Sequence, residues 1–172
     1  IIKALLSDIG TETAVTCQSV LGGHGYIREW GMEQLVRDAR IAQIYEGTNG
    51  VQAMDLVGRK LPMEGGAVMR GYLAELQTFA STHDGNAAMA EFIGPLRDAT
   101  STLEEAFDWL METAANDPAA PGAAAVDFLR LMGLTAMAHM WAGMAAKSLD
   151  NLEGDNSGFY ATKITTARYF MR

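Results

Sequence analysis

An all-α fold is the class this sequence predicts, and three features of its 172 residues point there. Methionine and alanine are abundant, with 11 methionines against 4 prolines, and runs of β-branched residues are few, a composition that favours helix throughout. Apolar residues recur at helical spacing over long stretches, and no stretch alternates strongly enough to claim a strand. Glycine and proline gather into short clusters that separate those stretches. With 49% hydrophobic and 20% charged residues, the chain has the balance of a globular protein rather than a disordered one.

The first helix is expected from the N-terminus to about Leu21, where Gly22 and Gly23 stop it and a loop follows through Gly31. A shorter helix covers roughly Met32 to Ala42, with Leu35, Val36 and Ala39 on one face. The stretch from Ile44 to Gly50 breaks the pattern, and Thr48 or Asn49 can cap a third helix that reaches about Lys60. Pro62, Gly65 and Gly66 mark a linker, and a fourth helix runs from about Val68 to Ser81. From Met89 the spacing of Phe92, Ile93, Leu96, Leu103, Phe107, Leu110 and Met111 gives a long amphipathic helix with an acidic outer face. Asp117-Pro118 and Pro121-Gly122 end it.

The sixth helix, about Ala123 to Leu149, is apolar nearly all round and should be the buried centre of a bundle. Gly133, Ala136 and Gly143 would admit close neighbours there. Too few helices follow Pro62 to enclose it, so its remaining surface is expected to be covered by the helices of residues 1–61 or by a partner subunit. Residues Asn151 to Gly158 form a turn before the last helix. Both ends of the chain read as cuts through helices, which predicts a piece of a longer protein.

The formal charge of −8 is unevenly placed: residues 1–61 carry −1 and residues 62–172 the remaining −7. No Lys/Arg cluster exists to neutralise phosphates, which argues against nucleic-acid binding. The most apolar stretch, Leu131 to Ala146, includes Thr135 and His139 and falls short of the ~20 residues of a membrane span. A buried helix and a cytoplasmic setting are therefore expected. Cys17 is the single cysteine, most simply a small core residue, and no spacing suggests a metal site.

Two stretches hold candidates for chemistry. Glu46 lies between a helix and a break, is followed by Gly47, and precedes a helix N-terminus whose dipole favours a carboxylate. Taken alone it is most simply a solvated glutamate at a helix start. Gly22-Gly23-His24-Gly25-Tyr26 has the backbone openness to approach phosphates or a cofactor. It is not the dinucleotide fingerprint, because a helix precedes it and the third glycine is absent. A helix cap with an ordinary loop is the simpler reading of that stretch by itself.

Other positions read as structural. Arg37, Asp38 and Arg40 suggest an ion-pair network, and His139 a satisfied core histidine. His24 is as readily solvent-exposed as cofactor-facing. Trp141 and the methionines at 132, 137, 140 and 144 are spaced as core filling. Glu104, Glu105, Asp108 and Glu112 form a solvated face.

Together the two stretches change the reading. Gln18-Ser19-Val20-Leu21-Gly22-Gly23-His24-Gly25-Tyr26, then Val36-Arg37-Asp38-Ala39-Arg40-Ile41-Ala42-Gln43-Ile44-Tyr45-Glu46-Gly47-Thr48, closely resembles the C-terminal domain of the acyl-CoA dehydrogenase family in order and spacing. The continuation from Asn49 to Leu61 resembles the subgroup with an additional C-terminal helical domain. The resemblance implies that residues 1–82 belong to the flavoenzyme's helical bundle, truncated at its N-terminus, and residues 83–172 to the added helical domain, truncated at its C-terminus. It implies FAD as cofactor, an acyl-CoA as substrate and an electron-transfer flavoprotein as electron acceptor. A homodimer or dimer of dimers is implied as well, and a place in fatty-acid β-oxidation.

By position, Glu46 matches the catalytic glutamate that removes the proton α to the thioester, while a hydride leaves the β carbon for the flavin. In that family the glutamate's backbone N–H helps to polarise the thioester carbonyl, which places Gly47 at the substrate. Gly22 and Gly23 match the loop that contacts the FAD of a neighbouring subunit; Thr48, Asn49 and Gly50 match positions lining the FAD beside the base. Ser19 stands three residues before the first loop glycine, where the family often has glutamine, and Gly50 stands where glutamine is also common. The isolated piece is expected to be inactive. An acyl-CoA oxidase, or a catalytically silent helical oligomerisation module, is the alternative.

Overall fold

The computed structural model describes residues 1–172, and every regular element in it is helical. The chain opens with α1 (Ile2–Val20). Gly22, at φ 58°, turns it into a short helix, α2 (Gly23–Tyr26), and a 3-10 turn at Arg28–Trp30, where the glycine content predicts a plain loop. A left-handed Gly31 starts α3 (Met32–Ile41), which packs back against α1. Thr48 caps α4 (Asn49–Asp55), its hydroxyl accepting from the Val51 N–H at 3.4 Å.

The helix reaches Lys60 as expected, but its last five residues are not α-helical. Past Asp55 the chain widens into a π turn over Leu56–Lys60, in which the Leu61 N–H donates to the Leu56 carbonyl at 2.9 Å. The extra residue in the turn stacks Leu61 over Leu56, and both are buried together with Val57. Packing outweighs helical regularity there. Gly66, with φ 86°, passes so close to the core that a Cβ would lie 2.8 Å from the Phe107 ring.

Four longer helices follow: α5 (Ala67–Thr82), α6 (Ala90–Thr113), α7 (Ala120–Asp150) and α8 (Phe159–Phe170). They enclose two cores. The first gathers Ala4 and Leu5 of α1, Ala53, Leu56, Val57 and Leu61, then Met69, Leu73, Leu103, Phe107, Leu110, Ala125, Phe128 and Leu129. The second joins Ala80, Met89, Phe92, Ile93 and Leu96 to Ala138, Ala142 and Ala145, with Ile164 and Ala167 of α8. α7 runs through both: α1, α4 and the π turn cover its N-terminal half, and α8 its C-terminal half.

α7 is central without being enclosed. The helices of residues 1–61 do cover part of it, yet Val126, Leu134, Met140 and Met144 remain exposed, so the last two methionines are not core filling. Gly133 does admit a close neighbour, since a Cβ there would meet Leu5 at 2.6 Å, whereas Gly143 faces open space. His139 is 8% exposed and packs edge-on against the Phe79 ring, but its Nδ1 has no hydrogen-bond partner. It is a core histidine that is not satisfied. Cys17 is exposed rather than core, because α1 is covered on one side only. No helix is long and apolar enough to cross a membrane.

Candidate active site

Glu46 sits in the turn between α3 and α4, with its side chain exposed. It has φ 54° and Gly47 has φ 83°, so two successive residues are left-handed. For a residue with a Cβ that conformation costs roughly 1–2 kcal/mol, and it persists only where the surroundings over-determine it. Both carbonyls of the pair are held. Gln52 of α4 donates its amide to the Glu46 carbonyl at 3.0 Å, and Lys3 of α1 donates to the Gly47 carbonyl at 2.7 Å. A Cβ at Gly47 would lie 3.1 Å from the same Gln52 amide. The N–H groups of Glu46, Gly47 and Thr48 donate to nothing within the chain and remain free for a ligand.

Asn49 anchors the turn from below. Its Oδ1 accepts from Lys3 at 2.8 Å, and its Nδ2 donates to the Ala4 carbonyl at 3.1 Å, to Ser7 Oγ at 2.9 Å and to Asp8 Oδ1 at 2.6 Å. Asp8 also receives the Gln43 amide at 2.5 Å. The side chain of Asn49 is therefore turned toward α1. Farther along, the Arg59 guanidinium donates to Asp55 at 2.5 Å and 3.1 Å; that hydrogen bond lowers the Asp55 carboxyl and ties α4 to the π turn.

The glycine loop lies at the other end of α1. Lys3 meets the Glu46 turn, while Gly22 follows Val20, and the 19 residues of α1 span about 28 Å at ~1.5 Å per residue. The structure does not bring the two motifs together within one chain. A Cβ at Gly22, Gly23 or Gly50 would meet nothing within 4 Å, so each has an open backbone face. Gly25 is different: a Cβ there would fall 2.3 Å from the Gln18 carbonyl, and Gln18 donates back to Gly25 O at 3.2 Å. Ser19 is exposed in the last turn of α1, its hydroxyl donating to the Val15 carbonyl at 3.1 Å. His24 is exposed and stacks edge-on with Trp30.

The remaining polar candidates are structural. Arg37 pairs with Glu33, Asp38 accepts from Gln34 and Arg40 donates to Gln43, so these residues bond locally rather than to one another. Asp108 pairs with Arg70 and Glu104 accepts from Gln77, which turns part of the acidic face into a seam with α5. Lys3 and Gln52, which hold the turn, have no signature in the sequence. A lysine 44 residues from the carbonyl it binds carries no local pattern.

Comparison with known proteins assigns both halves of the chain. Residues 1–61 match the family model described as the acyl-CoA dehydrogenase C-terminal domain, and residues 72–172 match the acetyl-CoA dehydrogenase C-terminal-like model. The chain is similar to 3-methylmercaptopropionyl-CoA dehydrogenase of Ruegeria pomeroyi, with 33% identity over 99% of this chain and 29% of that protein. A butyryl-CoA dehydrogenase of Syntrophomonas wolfei is 33% identical over 98% of this chain and 28% of its own length. A broad-specificity linear acyl-CoA dehydrogenase of Mycobacterium tuberculosis is 26% identical over the full chain and 30% of its own. The chain thus spans less than a third of the length of these relatives.

Proposed function

The chain belongs to the acyl-CoA dehydrogenase family as its C-terminal part, and from that premise we propose that it supplies the catalytic base and part of the flavin cleft of an FAD-dependent enzyme that oxidises an acyl-CoA to the 2,3-enoyl-CoA. Glu46 is the base. The observation that carries this reading is the turn itself: an exposed carboxylate on two left-handed residues, both carbonyls pinned, with its own N–H unpaired.

The chemistry asks two things of this chain. The proton α to a thioester is weakly acidic, so the carbonyl must be polarised while a carboxylate accepts the proton. The free Glu46 N–H supplies a donor for that carbonyl, and Gly47, without a side chain, leaves room for the thioester beside it. Closure by the rest of the protein would strip water from around the carboxylate and the thioester.

Thr48 and Gly50 fit one wall of the flavin site beside Glu46, and Ser19, Gly22 and Gly23 fit a contact to a second flavin, through open backbone and short polar side chains. Asn49 serves that wall from beneath, as part of the scaffold. FAD, when bound, supplies the acceptor for the electrons removed with the β-hydrogen. Because the glycine loop and the Glu46 turn lie at opposite ends of α1, the loop serves the cofactor of a neighbouring subunit, in a homodimer or dimer of dimers. Transfer of electrons to an electron-transfer flavoprotein, in the cytoplasm, completes the reading.

In the full-length enzyme Glu46→Gln keeps FAD and acyl-CoA binding, because the amide is nearly isosteric, and slows flavin reduction by roughly 10²–10⁴-fold. Stopped-flow reduction at near wild-type speed would assign the proton abstraction to another residue.

A further inference from the structure

We infer that Lys3 is a positioning residue for the Glu46 base, clamping the turn that carries it to the start of α1; this rests on the reading of Glu46 given above. Lys3 is half-buried, and its ammonium pairs with no carboxylate. It donates to two neutral oxygens, the Gly47 carbonyl at 2.7 Å and Asn49 Oδ1 at 2.8 Å. A lysine on a protein surface ordinarily keeps its ammonium hydrated and mobile. Here the cation is committed to the backbone of the residue next to the base, and to the side chain that ties the same turn to Ala4, Ser7 and Asp8.

The geometry explains why such a clamp is needed. Glu46 and Gly47 occupy left-handed backbone, and nothing in Glu46 itself favours it. Gln52 fixes the Glu46 carbonyl from α4, the helix that the turn leads into. Lys3 bonds the Gly47 carbonyl directly to α1, beside Ala4 and Leu5 in the first core, and joins the bonds that Asn49 and Gln43 make to the same helix. Without it the Gly47 carbonyl loses its partner while the bonds of Asn49, Gln43 and Gln52 remain, and the carboxylate loses part of its aim. Small misplacements of a reacting group are costly, since a shift of about 1 Å can slow a reaction by ~10²-fold.

The test uses the full-length, FAD-loaded enzyme and the variants Lys3→Met, Lys3→Arg and Glu46→Gln. Hydrogen exchange of the peptide covering residues 43–52 reads the clamp without reference to activity, and stopped-flow flavin reduction reads the base. Lys3→Met is expected to speed exchange of that peptide roughly tenfold with α6 unchanged, and to slow reduction by ~10- to 100-fold. FAD content and the acyl-CoA Kd should stay within about twofold, and Lys3→Arg should restore most of the rate. Should Lys3→Met fail to retain FAD, Lys3→Gln, which keeps a donor for the Gly47 carbonyl, carries the same comparison with smaller changes.

Unchanged exchange in the 43–52 peptide overturns the clamp whatever Glu46 does. Faster exchange with a normal reduction rate, while Glu46→Gln is inactive, overturns the positioning role and leaves the base in place. Normal reduction in both Lys3→Met and Glu46→Gln overturns the base, and the positioning role falls with it.

Discussion

Residues 1–54 and residues 55–172 are both helical, yet they treat their apolar side chains in opposite ways. In the first stretch only Ala4, Leu5, Gly25 and Ala53 are buried, while Val20, Tyr26, Trp30, Leu35, Ile41 and Tyr45 are exposed. In the second, Phe92, Leu96, Leu103 and Phe107 are fully enclosed. Most of the buried residues lie in the second region, and the first packs against it along α7. The chain spans less than a third of its relatives. The Glu46 turn lies in the region with the fewest buried residues.

That contrast breaks most visibly at single core positions. Phe107→Ala in the 172-residue chain should cost about 3–5 kcal/mol, the loss for a buried aromatic, measured by urea unfolding. Leu35→Gln, which keeps a good helix former on α3, should stay within about 0.5 kcal/mol. Equal costs at the two sites would mean that residues 1–54 have a core of their own. The seam comes next in size. Gly133→Val forces a branched side chain against Leu5 and Ile1, and overpacking of this kind costs about 1–3 kcal/mol. Adding Leu5→Ala should recover part of the loss, and strict additivity of the two changes would place the seam elsewhere.

The smallest effect is at the start of α8. Asp155 accepts from the Ser157 hydroxyl at 2.7 Å, from the Tyr160 N–H at 2.8 Å and from the Ser157 N–H at 3.0 Å. The Ser157 hydroxyl bond foremost, with those N–H groups, lowers its carboxyl. A folded-state value below the unfolded one contributes stability above the ordinary carboxylate range, near ~3.9, and loses it as pH falls through the lowered value. Amides at the start of α8 should therefore exchange faster only in acid below that range, and Asp155→Asn should remove the pH dependence. A transition nearer neutrality would point to another group.

Much of the architecture is legible in the chain without coordinates. The spacing of Phe92, Ile93, Leu96, Leu103 and Phe107 marks the buried face of α6, and Thr48 announces the cap of α4, because both depend on neighbours within a few turns. The π turn at Leu56–Lys60 does not announce itself, since its cause is the burial of Leu56 and Leu61 against other helices. Met140 and Met144 read as core and stand in solvent, because a helix apolar on every side does not say which side will be covered, and Cys17 does so because α1 is covered on one side only. Of the candidate site, Glu46 and the glycines are visible as an ordered motif, whereas Lys3 and Gln52 are not.

What the sequence determined alone is local and periodic: the helices, their caps and breaks, and the motif that names the family. What only the tertiary structure decided is which distant groups meet. Lys3 binds a carbonyl 44 residues away, Leu5 fills the space left by Gly133, and α1 holds the glycine loop and the Glu46 turn apart. Helical hydrogen bonds and side-chain spacing are set within one turn of the chain. Contacts between helices are settled by which apolar faces find each other, and no single helix contains that information.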